Sequence, residues 1–367
     1  MRLDGATRHA KLASGIWLEE DMKAANFLIA ALLAAASIVL DAPPAAAQTP
    51  AEFYKGKTVE LLVGYSSGGA YDVYARLIAR HIGKHIPGNP TVVVKNVEGA
   101  GSLRLANSLY NALPKDGTVF GTIGRGTAFD PLFGSTAAQF DGTKFGWIGS
   151  ANNEVSICAA WHTSGITKLE DTYTKELVVG GDGPSNDTDQ FPRLTNGVLG
   201  TKMRLVSGYP GGNEINLAME RGEVQGRCGW SWSSVKATRM DWYEQKKFHI
   251  LVQLALEKHP DLPNIPLILD LAKTPEQKQI FGLIFSRQVL GRPYLAPPGL
   301  PPDRLAALRK AFMDTMNDPE FLADAKKTKL EITPVDGAKV QQVVAEAYKT
   351  DPALAKKAGQ LMQPESK

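Results

Sequence analysis

"VELLVGYSSGGAYDVYARLIARHI", residues 59–82, places an apolar, β-rich run before a Gly/Ser turn and follows it with a helical pattern. Val73, Leu77, Ile78 and Ile82 fall on one side of that helix, the spacing of a core-facing surface. A strand, a glycine turn and a helix in that order serve three chemistries. They cradle a phosphate, mount a serine nucleophile, or hold an anion on free helix N–H groups.

The residues separate these readings. A Walker loop needs a Lys after the last glycine and a dinucleotide fingerprint needs G-x-G-x-x-G; Gly64 to Gly69 supplies neither. Gly64-Tyr65-Ser66-Ser67-Gly68 does fit G-x-S-x-G, which would make Ser66 a nucleophile with His259 as the triad candidate. Such an elbow takes an oxyanion donor from an earlier strand, yet this turn follows the first strand-like run after the leader. The anion reading needs only what is present. The first helical N–H groups have no internal partners and carry positive potential. Gly68 and Gly69 allow close approach, and Ser66 and Ser67 add hydroxyl donors.

Two further turns repeat the arrangement. Gly180-Gly181-Asp182-Gly183-Pro184-Ser185 follows a strand-like run, and so does Gly208-Tyr209-Pro210-Gly211-Gly212. In open α/β sheets ligands bind at the carboxyl ends of strands, so the three turns are candidates to converge on one cleft.

The rest of the chain sets the frame. Met22-Lys23 precedes an apolar run, Phe27 to Leu40, and an Ala45-Ala46-Ala47 exit. That is the pattern of a secretory signal peptide, with translation starting at Met22 and cleavage after Ala47. Residues 48–150, 151–254 and 255–367 are expected to form a first lobe, a second lobe and a return to the first. Ten strand-like runs alternate with helical ones, which predicts an α/β fold with largely parallel sheets. The formal net charge is only +3 and no basic run carries interleaved aromatics, so a nucleic-acid surface is not expected. Two cysteines, Cys158 and Cys228, are too few for a structural zinc site. They pair in an oxidising compartment or stand as separate buried thiols.

Several segments together resemble the extracytoplasmic solute receptors of tripartite tricarboxylate transporters, from about Phe53 to the C-terminus. "LLVGYSSGGAYDVYARLIARHI" is similar to the family's first strand, loop and helix. "VVVKNVEGAGSLRLANSLYNALPKDGTVFGTIG" resembles its Asn-x-x-Gly-Ala-Gly segment, Pro-Asp-Gly turn and strand. "GYPGGNEINLAMERGEVQ", "LPNIP" and "LAPPGLPPDRLAALRKAFMDTMNDPEF" follow in the family's order. Ser66-Ser67 stand where prolines are common, Gln225 where Asp is, and Leu267 where Thr is.

The resemblance implies two α/β lobes with mixed sheets, joined by two crossovers and closing on a ligand like a hinge. It implies a periplasmic, non-catalytic monomer without cofactor or metal. Its partners would be a small carboxylate and a membrane permease, or a signalling partner in place of the permease. The ligand carboxylate would be held by Tyr65 to Gly69, Tyr71 and Asp72 in the first lobe. In the second lobe it would be held by Gly183, Pro184, Ser185, Asn186, Asp187 and Thr188, with Tyr209, Gly211 and Gly212 on the cleft wall. Asp182, Asp187 and Asp189 would repel a multiply charged acid unless turned outward.

Beside the resemblance, Arg125 and Thr127, in "TIGRGTAF", follow a strand end where an Arg fork can clamp a carboxylate. Trp230 and Trp232 follow Arg227 in "GRCGWSW" and offer a stacking face for a ring-bearing acid. Asp72 is equally suited to capping its own helix.

Overall fold

Thr58 to Val63 is the first strand. Its Val59, Leu61, Leu62 and Val63 are all buried, so both faces are covered, as parallel strands require. The computed structural model describes residues 48–363. The expected signal peptide, its start at Met22 and its exit at Ala47 lie outside the described residues. From Thr49 onward the chain forms one compact unit, and no described helix is long and apolar enough to cross a membrane.

The described strands are β1 (Thr58–Val63), β2 (Thr91–Asn96), β3 (Val119–Thr122), β4 (Gly146–Ser150), β5 (Ser156–Trp161), β6 (Leu177–Gly181), β7 (Met203–Ser207), β8 (Gly226–Ser231), β9 (Phe248–Leu254), β10 (Pro293–Ala296) and β11 (Val335–Asp336). They form two sheets, in the orders β11-β4-β10-β3-β1-β2 and β7-β6-β8-β5-β9. Each sheet flanked by helices makes one lobe.

The sheets are mixed. β1 is parallel to β2 and β3, and β6 to β7 and β8. Parallel neighbours need a helical crossover between them, and the strand–helix alternation of the sequence reports these. β5 and β10 instead arrive from the opposite lobe, and both run antiparallel to their neighbours. That is why the alternation alone overstates the parallel share.

The two lobe-to-lobe passages, after β4 and before β10, lie side by side. Ala151 donates its N–H to Arg292 O at 3.0 Å and Glu154 to Gln288 O at 2.9 Å. Glu154 and Arg292 also pair through their side chains at 3.2 Å, fully buried. A two-stranded joint of this kind permits a hinge rotation while fixing the axis.

Helices cover the sheets with the faces their periodicity assigns. Ala70–Ile82 buries Tyr74, Leu77, Ile78 and Ile82. Pro302–Met316 starts on a proline at its first turn and buries Leu308, Phe312 and Met316 against β4. Pro275–Phe285 and Pro352–Met362 pack instead around Asp187–Leu199 of the second lobe, where Phe285 meets Phe191 edge-on at 5.1 Å. The C-terminal stretch thus serves both sheets. β5 and β8 set Cys158 opposite Cys228, sulfur beside sulfur.

Candidate functional site

The three glycine turns open onto one small cavity between the lobes, of about 40 Å³. Each turn delivers a helix N-terminus to it. Gly69 and Tyr71 begin the helix Ala70–Ile82, Asn186 and Thr188 begin Asp187–Leu199, and Gly212 and Asn213 begin Gly212–Glu220. Three helix N-termini around one space direct the positive ends of their dipoles towards it.

Aromatic rings form the walls. Tyr65 and Tyr71 stack at 4.5 Å between ring centroids. Trp230, fully buried on β8, lines the opposite side, and its indole N–H has no hydrogen-bond partner among the described residues. Trp232 points away, donating to Asp261 at 3.1 Å. Of the two tryptophans, only Trp230 borders the cavity.

The lobes meet across this space. Ser66 Oγ donates to Glu214 Oε2 at 3.0 Å, and Gly101 N–H to Asp182 O at 3.1 Å. Thr127 Oγ1 approaches Ser185 O at 3.5 Å, while its partner within the first lobe is Ser102 Oγ at 3.0 Å. The conformation is closed. Ser66 is therefore an interlobe contact. His259, the triad candidate, accepts from Asp261 N, and His81 and His85 bond Asp324 and Asp318. The His81–Asp318–Glu320 cluster encloses an ammonium, with Lys84 Nζ 2.6 Å from both carboxylates.

Several expected ligand residues are engaged within the protein itself. Asp72 accepts from Gly68 N–H at 2.8 Å, Arg76 Nε at 2.9 Å and Asn96 Nδ2 at 2.9 Å, which pins the first turn to its helix and to β2. Burial raises its pKa, but these three donors outweigh burial and hold the carboxyl below its usual range. Ser67 Oγ reaches the same carboxylate at 3.5 Å. Gly183 faces the backbone of Ala100 and Gly101. Pro184 and Ser185 border a separate cavity beside Asp130 and Phe133. Tyr209 packs over Gly180, and Gly211 accommodates the Ser66 hydroxyl.

Arg125 lines the cavity, yet its charge is already matched. Its Nε lies 2.9 Å from Asp187 Oδ2, its Nη1 donates to Gln288 at 3.0 Å, and its Nη2 donates to Ser231. Arg287 approaches the other oxygen of Asp187 at 3.3 Å. Asp187 is thus turned inward as a counter-ion for two arginines. Asp182 and Asp189 are also buried, so none of the three carboxylates is turned outward. The helix start tolerates Asp187 and Asp189 because its dipole favours negative charge there.

Arg227 is the cation that the turn-based reading left out. It sits on β8 beside the cavity, buried, with its guanidinium 5.2 Å from the Trp230 ring. Its Nη1 donates to Gly212 O and Asn216 Oδ1, both at 3.2 Å, and its Nε has no partner. No carboxylate pairs with it among the described residues. Burial lowers its pKa to about 10, more than neighbouring Asp182 can offset. Its sequence signal is a lone charge inside an otherwise small and apolar strand, "GRCGWS". Asn213, Asn216, Ser234 and Thr238 also border the cavity and carried no such signal.

No family model matches the chain. Over 361 aligned residues it is 24% identical to a Cupriavidus necator protein described as "UPF0065 protein in gbd 5'region", across 92% of this chain and 98% of that one. Among solved structures it is similar to the periplasmic binding protein BugD, with a TM-score of 0.67, 18% identity and coverage of 83% and 99%. It shares the fold of the tripartite tricarboxylate receptors. MatC from Rhodopseudomonas palustris, solved with bound malate, gives a TM-score of 0.64 at 18% identity, covering 83% and 99%. An R. palustris protein solved with adipate gives 0.64 at 18%, covering 83% and 97%. This receptor fold accounts for the two mixed sheets and the double crossover.

Proposed function

We propose that the chain is a periplasmic solute-binding receptor that captures a small carboxylate-bearing ligand by lobe closure and delivers it to the permease of a tripartite transporter. The observation that carries this reading is the closed cavity itself. Three helix N-termini and the buried, carboxylate-free Arg227 surround one small space. A carboxylate placed there satisfies donors that are otherwise unpaired, each charge-assisted hydrogen bond contributing roughly 1.5–3 kcal/mol. The malate- and adipate-bound receptors of the same fold support the same ligand class.

On this reading the protein acts without catalysis. Ligand contacts bridge both lobes, so binding favours the closed form by its differential affinity. The candidate ligand set is Tyr65, Gly69, Tyr71, Asn186, Thr188, Gly212, Arg227 and Trp230, with Arg125 and Asp72 holding the loops in place. Isothermal titration of the purified protein with malate, adipate and related acids tests the proposal. Saturable 1:1 binding without turnover supports it, and silence across the panel refutes the carboxylate assignment.

A further inference from the structure

The cavity carries two buried charges that have no salt-bridge partner among the described residues, and they are opposite in sign. Arg227 faces it with an unpartnered Nε and only neutral acceptors on Nη1. Asp182 faces it from the second turn. Its Oδ1 accepts from Asn186 Nδ2 at 2.5 Å and Thr188 Oγ1 at 2.6 Å, and no described hydrogen bond or cation reaches Oδ2. The two groups feel each other electrostatically but form no salt bridge. The third charge on the lining, Arg125, is matched by Asp187.

A buried carboxylate and a buried guanidinium that line one cavity without forming a salt bridge are costly unless something completes them. We infer that the cleft is built for a zwitterion, an amino acid whose carboxylate meets Arg227 and whose ammonium meets Asp182. This rests on the receptor reading of the same cleft and narrows its ligand class. A dicarboxylate would satisfy Arg227 but set its second charge in a site that also holds Asp182. A monocarboxylate without an amine would leave Asp182 unmatched. Burial raises the pKa of Asp182 to about 6, against the lowering effects of Thr188, Arg227 and Asn186.

The test pairs each amino acid with its deaminated analogue: L-aspartate with succinate, L-alanine with propionate, L-leucine with 4-methylpentanoate, L-phenylalanine with 3-phenylpropionate. Affinities for the purified protein are measured at pH 7.5 by titration calorimetry. The best amino acid should bind at least about tenfold more tightly than its analogue. Asp182→Asn should bring that ratio close to one and tighten the analogue. Should Asp182→Asn not fold, the wild-type comparison decides alone. Analogues that bind as tightly as the amino acids, or a ratio unmoved by folded Asp182→Asn, overturn the zwitterion inference and leave the receptor reading intact. If no member of either set binds, the carboxylate receptor reading falls and takes this inference with it.

Discussion

Gly101 and Gly183 meet backbone to backbone across the lobes. Gly101 N–H donates to the carbonyl of Asp182, one residue before Gly183, at 3.1 Å. A Cβ on Gly183 would collide with the nitrogen of Gly101 and lie 2.6 Å from the carbonyl carbon of Ala100. The same glycine holds φ at +135°, a region that side chains rarely adopt. Closure therefore depends on a bare backbone at this point.

Gly183→Ala is accordingly expected to block full closure. Ligand affinity should fall at least about tenfold, since an open cleft loses the contacts of one lobe. Small-angle scattering with saturating ligand should show a larger radius of gyration than for the wild type. A variant that binds and closes normally would mean that the Gly101–Gly183 contact does not belong to the bound state.

Arg227→Met removes the buried cation proposed to receive the ligand carboxylate. Losing one partner of a buried, hydrogen-bonded charge pair costs roughly 2–5 kcal/mol. The ligand Kd should therefore rise by about thirtyfold or more, while the melting temperature of the ligand-free protein holds or rises. The opposite pattern, intact affinity with a lowered melting temperature, would make Arg227 a structural group.

Arg125→Met is predicted to act on stability. It leaves Asp187 buried with Arg287 as its remaining cation, and breaking a buried pair typically costs about 3–5 kcal/mol. Chemical denaturation should show a loss near the lower end of that range, because Arg287 remains.

Asp130 gives the pH dependence. It is buried at the lobe interface, with Gln190 Nε2 at 3.2 Å and one oxygen unpartnered. Burial raises its pKa to about 7, against the lowering effects of Ser185, Arg287 and Gln190. A carboxyl whose folded pKa exceeds its unfolded value of 3.8 binds protons preferentially in the folded state. Its contribution to stability therefore falls as pH rises from about 4 to about 7, and is fully unfavourable above that. Asp130→Asn should raise the melting temperature at pH 8, and the gain should shrink towards pH 4. A gain that is constant with pH would show that the carboxyl does not titrate there.

Cys158 and Cys228 stand opposite each other on β5 and β8. Export to an oxidising compartment would join them, closing a loop of about 70 residues and stabilising by roughly 4 kcal/mol on the chain-entropy model. Intact-mass analysis after alkylation without reductant should find neither thiol labelled. Two labels would establish free thiols.

Much of this architecture was legible in the chain because strands and glycine turns write themselves locally. All ten strand-like runs recur as strands, with shifts of a few residues. β11 escaped because two residues, Val335 and Asp336, carry no periodicity. The three turns were visible as glycine clusters between runs. What each side chain does was not, because partners come from the other lobe. Arg125 looked like a free clamp until Asp187, 62 positions later, was folded against it. Ser66 reads in the sequence as a hydroxyl donor for an anion, yet in the fold its hydroxyl meets Glu214 of the other lobe. Arg227 lay in the readable strand, but only the fold shows that no carboxylate forms a salt bridge with it among the described residues.

The central claim is that this cavity captures a small carboxylate. Titration calorimetry of the purified protein against paired amino and deaminated acids tests it most directly. Saturable 1:1 binding by at least one acid, lost in Arg227→Met, is the predicted result. A flat response to every acid, from wild-type protein that is folded and monodisperse, would contradict it.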